Sequence, residues 1–430
     1  MDFFRFLMSD VLSEPAVLVG LIALIGLIGL IGLIGLIGLI AQKKPVTECI
    51  KGTVKTIMGF VILGAGAGLV VSSLGDFANI FQHAFGIQGV VPNNEAIVSV
   101  AQKSFGKEMA MIMFFAMVIN IMIARFTPWK FIFLTGHHTL FMSMMVAVIL
   151  ATAGMTGITL IAVGSLVVGV AMVFFPAIAH PYMKKVTGSD DVAIGHFSTL
   201  SYVLAGFIGS KFGNKEHSTE DMNVPKSLLF LRDTPVAISF TMSIIFLVTC
   251  LFAGADAVKE LSGGKNWFMF SIMQSITFAA GVYIILQGVR MVIAEIVPAF
   301  KGISDKLVPN ARPALDCPVV FPYAPNAVLV GFLSSFAAGL IGMFTLYLLN
   351  MIVIIPGVVP HFFVGAAAGV FGNATGGRRG AILGAFAQGL LITFLPVFLL
   401  PVLGDIGFAN TTFSDADFGA LGILLGIIVR

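Results

Sequence analysis

The sequence predicts an all-α polytopic membrane protein, with about eleven transmembrane helices in two inverted repeats and with re-entrant or broken segments. Of its 430 residues, 58% are hydrophobic and only 10% are charged, against roughly 25% charged in an ordinary soluble domain. Apolar runs of roughly 18 to 26 residues recur, each long enough to cross the hydrocarbon core as a helix. This composition excludes a soluble cytosolic enzyme, and we expect a lipid bilayer rather than nucleic acid as the surroundings.

Twelve apolar segments divide the chain, and the sixth differs from the others. Residues 192–210 carry a histidine, several hydroxyl side chains and a tyrosine, and lead directly into the charged stretch 211–233. We therefore interpret the sixth segment as re-entrant or broken, which leaves eleven spans. The twelve segments cover residues 16–41, 56–74, 109–126, 131–153, 157–179, 192–210, 235–254, 267–288, 326–349, 350–372, 381–403 and 419–429.

The basic residues favour one orientation of these spans. With the N-terminus outside and the C-terminus in the cytoplasm, 19 of the 24 lysines and arginines fall on cytoplasmic segments. This is the asymmetry that the positive-inside rule describes.

A short motif occurs once in each half of the chain. AFGI at 84–87 followed by VPN at 91–93 reappears as AFKGI at 299–303 followed by VPN at 308–310. The offset between the two copies of the motif also aligns five spans of the first half with five spans of the second half. Because five is an odd number, the second copy enters the membrane from the opposite side. We therefore predict two inverted repeats, residues 1–230 and 231–430. This arrangement is typical of alternating-access transporters that bind solute at broken helices near the midplane.

Polar residues near these motifs are candidates for the solute site. Asn94 and Glu95 follow the first VPN motif, and Asp316 follows the second. A carboxylate at membrane depth needs a partner or a polar ligand. Glu95 is equally compatible with an ordinary residue of an outer loop, whereas the prolines around Asp316 favour a functional role there.

Three histidines interrupt the apolar segments of the first half. His137 and His196 each follow a glycine, which favours a pair that lines a cavity. His138 is compatible with a satisfied core residue. No spacing of histidines with carboxylates or cysteines indicates a metal site, and three isolated cysteines form no disulfide framework. We expect no metal and no other cofactor.

Eight stretches, in the same order, resemble one family from about residue 45 to the C-terminus: the membrane component (IIC) of the ascorbate-type bacterial sugar phosphotransferase system. They are KGTVKTIMGF at 51–60, LTGH at 134–137, IGH at 194–196, QGVRMVIAE at 287–295, FKGIS at 300–304, LDC at 315–317, APNAV at 324–328 and IPG at 355–357.

The resemblance implies a homodimer in the bacterial inner membrane. Each chain would have eleven spans in two inverted repeats that interleave into a dimer-forming domain and a mobile, substrate-carrying core domain. It also implies uptake of L-ascorbate coupled to phosphorylation by a separate cytoplasmic IIB protein, whose phosphocysteine is the donor. Whether the IIC chain itself acts as an enzyme stays open. Positions that match the family's solute contacts are Asn94, Glu95, His137, Phe141, His196, Phe197 and Asp316.

The chain departs from the family's pattern at several of these positions. Phe141 and Phe197 stand where better-known ascorbate carriers have glutamines, and Asn94-Glu95 replaces a Thr-Tyr pair. Each lost polar contact is worth roughly 1 kcal/mol. The solute is therefore ascorbate held differently, another sugar acid or a polyol.

The expected mechanism has one catalytic candidate in this chain. We expect Asp316 to orient or deprotonate the hydroxyl that accepts phosphate. Because the chain ends directly after the last span, we also expect the phosphoryl donor to be another polypeptide. The rival hypothesis is an ion- or proton-coupled secondary transporter of a small polar solute, which also uses inverted repeats and membrane-embedded carboxylates.

Overall fold

A computed structural model describes residues 46–86, 89–222, 230–231, 233–404 and 411–429. The described chain is mostly helical, with six short strands. The predicted first span, residues 16–41, lies outside the described residues, and so does the predicted outer position of the N-terminus.

The first half of the described chain alternates helices with short strands. Its elements are α1 (Val46–Phe85), β1 (Gly89–Pro92), α2 (Asn94–Phe126), β2 (Phe131–Phe133), α3 (Gly136–Thr152), α4 (Gly157–Thr187), β3 (Ala193–Ile194) and α5 (Thr199–Phe212). A 3-10 turn, Thr219–Asp221, follows.

The second half repeats this alternation after two additional helices. Its elements are α6 (Thr234–Ala253), α7 (Ala255–Leu261), α8 (Trp267–Leu307), β4 (Arg312–Leu315), α9 (Pro325–Leu348), β5 (Val353–Ile354), α10 (Val358–Leu399), β6 (Thr411–Thr412) and α11 (Ala416–Val429). Two 3-10 segments, Cys317–Tyr323 and Leu400–Val402, lie before α9 and after α10.

Six helices of the described residues are long and apolar enough to cross a membrane, which agrees with the predicted class of protein. Helices α3 and α11 are apolar but shorter. The total of about eleven spans stays a prediction. The six helices are Ser104–Phe126, Gly157–Thr187, Pro235–Ala253, Trp267–Ile284, Pro325–Leu348 and Val358–Val402.

Helix α10 covers most of two predicted spans, 350–372 and 381–403, and a break separates them. Gly376 and Gly377 leave helical geometry, and Gly377 has φ 59° and ψ −158°, a conformation essentially confined to glycine. The loop after α5 stabilises this break with two backbone hydrogen bonds. Asn214 N–H donates to Gly376 O, and Arg378 N–H donates to His217 O.

The predicted sixth segment, 192–210, is interrupted. It begins with the two residues of β3 and continues as α5, a helix of 14 residues. At 1.5 Å per residue, α5 is about 21 Å long, too short to cross about 30 Å of hydrocarbon.

The strands form two parallel three-stranded sheets, each built from both halves of the chain. Strand β1 lies between β5 and β6, and β4 lies between β2 and β3. The central strand of each sheet therefore comes from one half and its two neighbours come from the other. Every strand is followed within a few residues by an α or 3-10 helix, so the helix N-termini gather at the carboxyl ends of the sheets.

Candidate functional site

One cavity lies where the chain leaves the six strands. It contains about 460 Å³ of space free of protein atoms, part of it open at the mouth. Each strand contributes lining residues from the segment that follows it, because the carboxyl ends of parallel strands lie together. The lining residues are Asn94 and Glu95 after β1, His137, His138 and Phe141 after β2, His196 after β3, Asp316 and Cys317 after β4, Val359, Pro360, Phe363 and Val364 after β5, and Ser414 and Asp415 after β6.

Two histidines face one carboxylate across this cavity. His137 Nε2 lies 3.5 Å from Asp316 Oδ2, and His196 Nε2 lies 3.8 Å from Asp316 Oδ1. Asp316 is 38% exposed, whereas the side chains of His137 and His196 are 13% and 4% exposed. The carboxylate therefore stands on the open side of the cavity, with the imidazoles behind it.

The third histidine, His138, packs between its neighbours. Its ring centroid lies 3.8 Å from that of His196 and 4.7 Å from that of His137. The backbone N–H of Phe197 donates to His138 Nδ1 at 3.2 Å. His138 is thus both a fixed, buried residue, as expected, and a residue of the cavity wall.

A second carboxylate group comes from the segment before α11. Asn94 Nδ2 donates to Asp415 Oδ2 at 2.6 Å, and Ser414 N–H donates to Asn94 Oδ1 at 2.9 Å. Sequence reasoning missed Asp415, because residues 405–417 look like an acidic loop and no motif connects them with Asn94.

Asp417, two residues further on, caps α5 rather than lining the cavity. Its carboxylate accepts hydrogen bonds from the backbone N–H groups of Thr199 at 2.7 Å and Leu200 at 2.8 Å. Ala416 N–H donates in turn to Ser198 Oγ. The N-termini of α5 and α11 are therefore held together, and His196 and Asp415 reach the cavity from this junction.

The structure brings six of the seven sequence-predicted site residues to the cavity wall and places the seventh elsewhere. Phe197 is fully buried, and its ring stacks on Phe133 with a centroid distance of 4.6 Å. Phe175 and Phe418 contact it edge-on. Its side chain belongs to this aromatic cluster, whereas its backbone N–H donates a hydrogen bond to His138 at the cavity wall. The six residues at the wall are Asn94, Glu95, His137, Phe141, His196 and Asp316.

The folded side chains also form groups of the metal-ligand type that their spacing did not indicate. Three groups have their ligand atoms within 4.8 Å of one another, and two of these include His138. A neutral imidazole that accepts a hydrogen bond at Nδ1 carries its proton on Nε2. The bond from Phe197 therefore removes His138 as a metal ligand. The group without His138 consists of His196, Asp316 and Cys317.

The chemistry of the wall suits a hydroxylated molecule. Carboxylates accept hydrogen bonds from hydroxyl groups, and imidazole N–H groups donate to them. Among the described residues, no lysine or arginine lines the cavity. Basic side chains lie instead at the start of β4 and the end of α4. Arg312 and Lys184 form ion pairs with Asp190 there. Bonds from Lys184, then Arg312 and His180, hold the pKa of Asp190 well below its usual range.

Comparisons with known proteins identify the family to which this chain belongs. The chain is 27% identical over 471 aligned residues to the ascorbate-specific PTS system EIIC component of Mycoplasma pneumoniae, and the alignment covers 96% of this chain and 67% of that protein. The profile of the EIIC-GAT family, described as the PTS system sugar-specific permease component, matches residues 28–417. These findings confirm the resemblance noted from the sequence: the chain is an integral membrane protein that belongs to the EIIC-GAT family of sugar-specific permease components of the phosphotransferase system.

Proposed function

We propose that this permease takes up L-ascorbate or a closely related sugar acid, and that a separate cytoplasmic IIB protein phosphorylates the solute during uptake. The single observation that carries the proposal is the cavity, where two imidazoles face Asp316 beside two further carboxyl groups. The named relative supports the choice of solute, because it is ascorbate-specific.

Asp316 is the proposed catalytic residue of this chain. The S–P bond of the IIB phosphocysteine breaks while a solute hydroxyl oxygen forms the new P–O bond. The hydroxyl proton passes to the Asp316 carboxylate, and the cysteine thiolate leaves with IIB. The exposure of Asp316 at the open side of the cavity supports this role, because the donor must approach from solvent.

The proposed architecture is two inverted repeats that meet near residue 230. Each sheet takes its central strand from one half and its two outer strands from the other, and equivalent strands follow one another in the same order in both halves. This sharing of strands between the halves supports a pseudo-twofold relation between the two halves of the chain, with the axis passing near the cavity. We further propose a homodimer with a dimer-forming domain and a mobile core domain, and a cytoplasmic C-terminus in a bacterial inner membrane.

Uptake by proteoliposomes tests the proposal against an ion- or proton-coupled transporter. The vesicles contain the full chain and a phosphorylated IIB protein of the ascorbate type, with no ion gradient across the membrane. We expect labelled ascorbate to accumulate inside as its phosphate ester. Accumulation that requires an ion gradient and yields unmodified ascorbate would contradict the proposal.

The variant Asp316→Asn tests the role of the carboxylate. We expect the Kd for ascorbate to stay within a fewfold of that of the original protein. We expect the rate of phosphorylation to fall by about 100-fold or more, the range for a lost general base. The matched control is Asp191→Asn, on an exposed turn where the aspartate bonds to Ser189. Full phosphorylating uptake by Asp316→Asn would remove the proposed role.

A further inference from the structure

Tyr202 is a buried tyrosine of α5 that contacts the site from behind. It is 0% exposed, and its ring stacks on Phe371 with a centroid distance of 5.2 Å. Its hydroxyl oxygen lies 2.9 Å from His196 Nδ1. Tyr202 does not line the cavity, and its hydroxyl reaches the lining residues through His196 and through a contact with Cys317.

The carboxylate on the other side of His196 decides which nitrogen carries the proton. His196 Nε2 faces Asp316 Oδ1 at 3.8 Å, and an ionised carboxylate only accepts hydrogen bonds. A neutral imidazole in this position is therefore most stable with its proton on Nε2. Nδ1 then holds a lone pair, and the Tyr202 hydroxyl is its donor.

The same tautomer is imposed on the neighbouring histidine by a different donor. The backbone N–H of Phe197 donates to His138 Nδ1, so neutral His138 also carries its proton on Nε2. With the proton of His196 on Nε2, both adjacent imidazoles have a donor of the protein at Nδ1. A substitution cannot delete a backbone donor selectively, but it can delete the phenol of Tyr202.

We propose that Tyr202 is a positioning residue that holds neutral His196 in the Nε2–H tautomer, so that its imidazole donates toward Asp316 and the solute. This inference rests on the proposed function, because it gives His196 the task of donating beside the residue that receives the hydroxyl proton. In this tautomer His196 Nε2 is no metal ligand, which also removes the third group of possible metal ligands.

Loss of the phenol makes binding depend on pH. In Tyr202→Phe, His196 Nδ1 has no donor, and the neutral ring can place its proton there. Its Nε2 lone pair then faces the Asp316 carboxylate, and protonation of the ring relieves this repulsion. The titratable groups that face His196 are His137 and His138 on α3, Asp316 and Cys317 after β4, Asp415 before α11, and Tyr202 itself.

Solid-state ¹⁵N NMR of the histidine-labelled full chain tests the tautomer without any solute. We expect the His196 signals, assigned by their loss in His196→Gln, to show a protonated Nε2 and an unprotonated Nδ1 at about pH 8, where a free histidine is neutral. A protonated Nδ1 in the unmodified protein would overturn the inference whether or not Tyr202→Phe folds. Because no solute is present, this outcome is independent of the proposed substrate.

Labelled ascorbate binding gives the second readout. At about pH 8, Tyr202→Phe is expected to raise the Kd about fivefold to tenfold, the effect of one lost hydrogen bond, with recovery on acidification, as the His196 ring takes up a proton. The phenyl ring preserves the stack on Phe371. Tyr182→Phe is the control, since Tyr182 packs against the same core from α4. If Tyr202→Phe left the His196 tautomer unchanged and gave a pH profile of ascorbate binding parallel to that of the original protein, Tyr202 would be only a packing residue.

Discussion

Asn94 and Asp415 are 321 residues apart in the chain and are joined by a hydrogen bond of 2.6 Å between Asn94 Nδ2 and Asp415 Oδ2. Both side chains are more than nine-tenths buried. The bond links the segment after β1 to the segment after β6, and both segments contribute to the cavity wall. A buried carboxylate requires such a partner, because desolvation without one is costly.

Substitution of Asn94 is expected to damage the site in a charge-dependent way. Asn94→Ala removes the donor to Asp415 and is expected to lower the free energy of unfolding by about 1–3 kcal/mol. Asn94→Asp places two carboxyl groups in contact, so it is expected to be worse at neutral pH and to improve on acidification, when one carboxyl takes a proton. Thermal unfolding of the purified protein at several pH values measures both effects.

The control for the asparagine series is Asn214→Asp on an exposed turn, where the side-chain oxygen accepts from Glu216 N–H and Asp can do the same. If Asn94→Asp behaved like this control at every pH, the Asn94–Asp415 contact would not be a feature of the protein in solution.

The cap that Asp417 provides for α5 is expected to contribute to stability across the two halves of the chain. Its carboxylate accepts from Thr199 and Leu200 N–H, and Asn can offer only one accepting oxygen. Asp417→Asn is expected to cost about 1–2 kcal/mol, seen as a drop in Tm of a few degrees. Asp256→Asn, at the exposed first turn of α7, is the control. Equal Tm values for the two variants would show that the cap does not contribute.

The positions of the chain breaks could be predicted from the sequence, because glycine, proline and polar side chains interrupt otherwise apolar runs. The grouping of Asn94, Glu95 and Asp316 followed from the repeated motif, and all three line one cavity. The strands themselves could not be predicted. Three of the six contain two residues, too few for any periodicity, and their partners lie in the other half of the chain.

The individual side-chain directions could not be predicted either. His196 and Phe197 are neighbours in sequence, yet His196 lines the cavity and Phe197 points into an aromatic cluster. Asp415 resembles any acid of a surface loop until β6 pairs with β1. The missing information in both cases is tertiary, since the backbone after a short strand can aim a side chain in either direction.

Phe141 and Phe197, where the resemblance implies glutamines in the family, are expected to respond differently to substitution by glutamine. Phe141 lines the cavity, so Phe141→Gln is expected to tighten ascorbate binding about fivefold, the value of one added hydrogen bond. Phe197 is enclosed by Phe133, Phe175 and Phe418. Phe197→Gln is expected to bring no gain in binding and to lower stability by about 2–4 kcal/mol, because it buries an unpaired amide.

Isothermal titration with ascorbate and thermal unfolding of both variants separate these effects. Each variant controls for the other, since the same substitution is made once at the cavity wall and once in the aromatic cluster behind it. Tighter binding by Phe197→Gln with unchanged stability would mean that its side chain reaches the solute, contrary to the structure.

The break in α10 is expected to depend on Gly377. Its φ is 59°, and a Cβ there would meet the backbone carbonyls of Asn214 and His217. These are backbone atoms of the loop that bonds to the break, so a side chain cannot simply displace them. Gly377→Ala is therefore expected to lower the free energy of unfolding by about 1–3 kcal/mol, the cost of one strained residue, before any effect of the clash.

Gly68→Ala is the matched control for this prediction. Gly68 lies inside α1, and a Cβ added there would have no atom within 4 Å other than those of its own helix. Alanine at this position is therefore expected to be neutral or to stabilise by up to about 1 kcal/mol. The two variants thus have opposite expected signs in a comparison of Tm. A stabilised Gly377→Ala would mean that the two segments of α10 form one continuous helix in the membrane, and the loop after α5 would then have no break to hold.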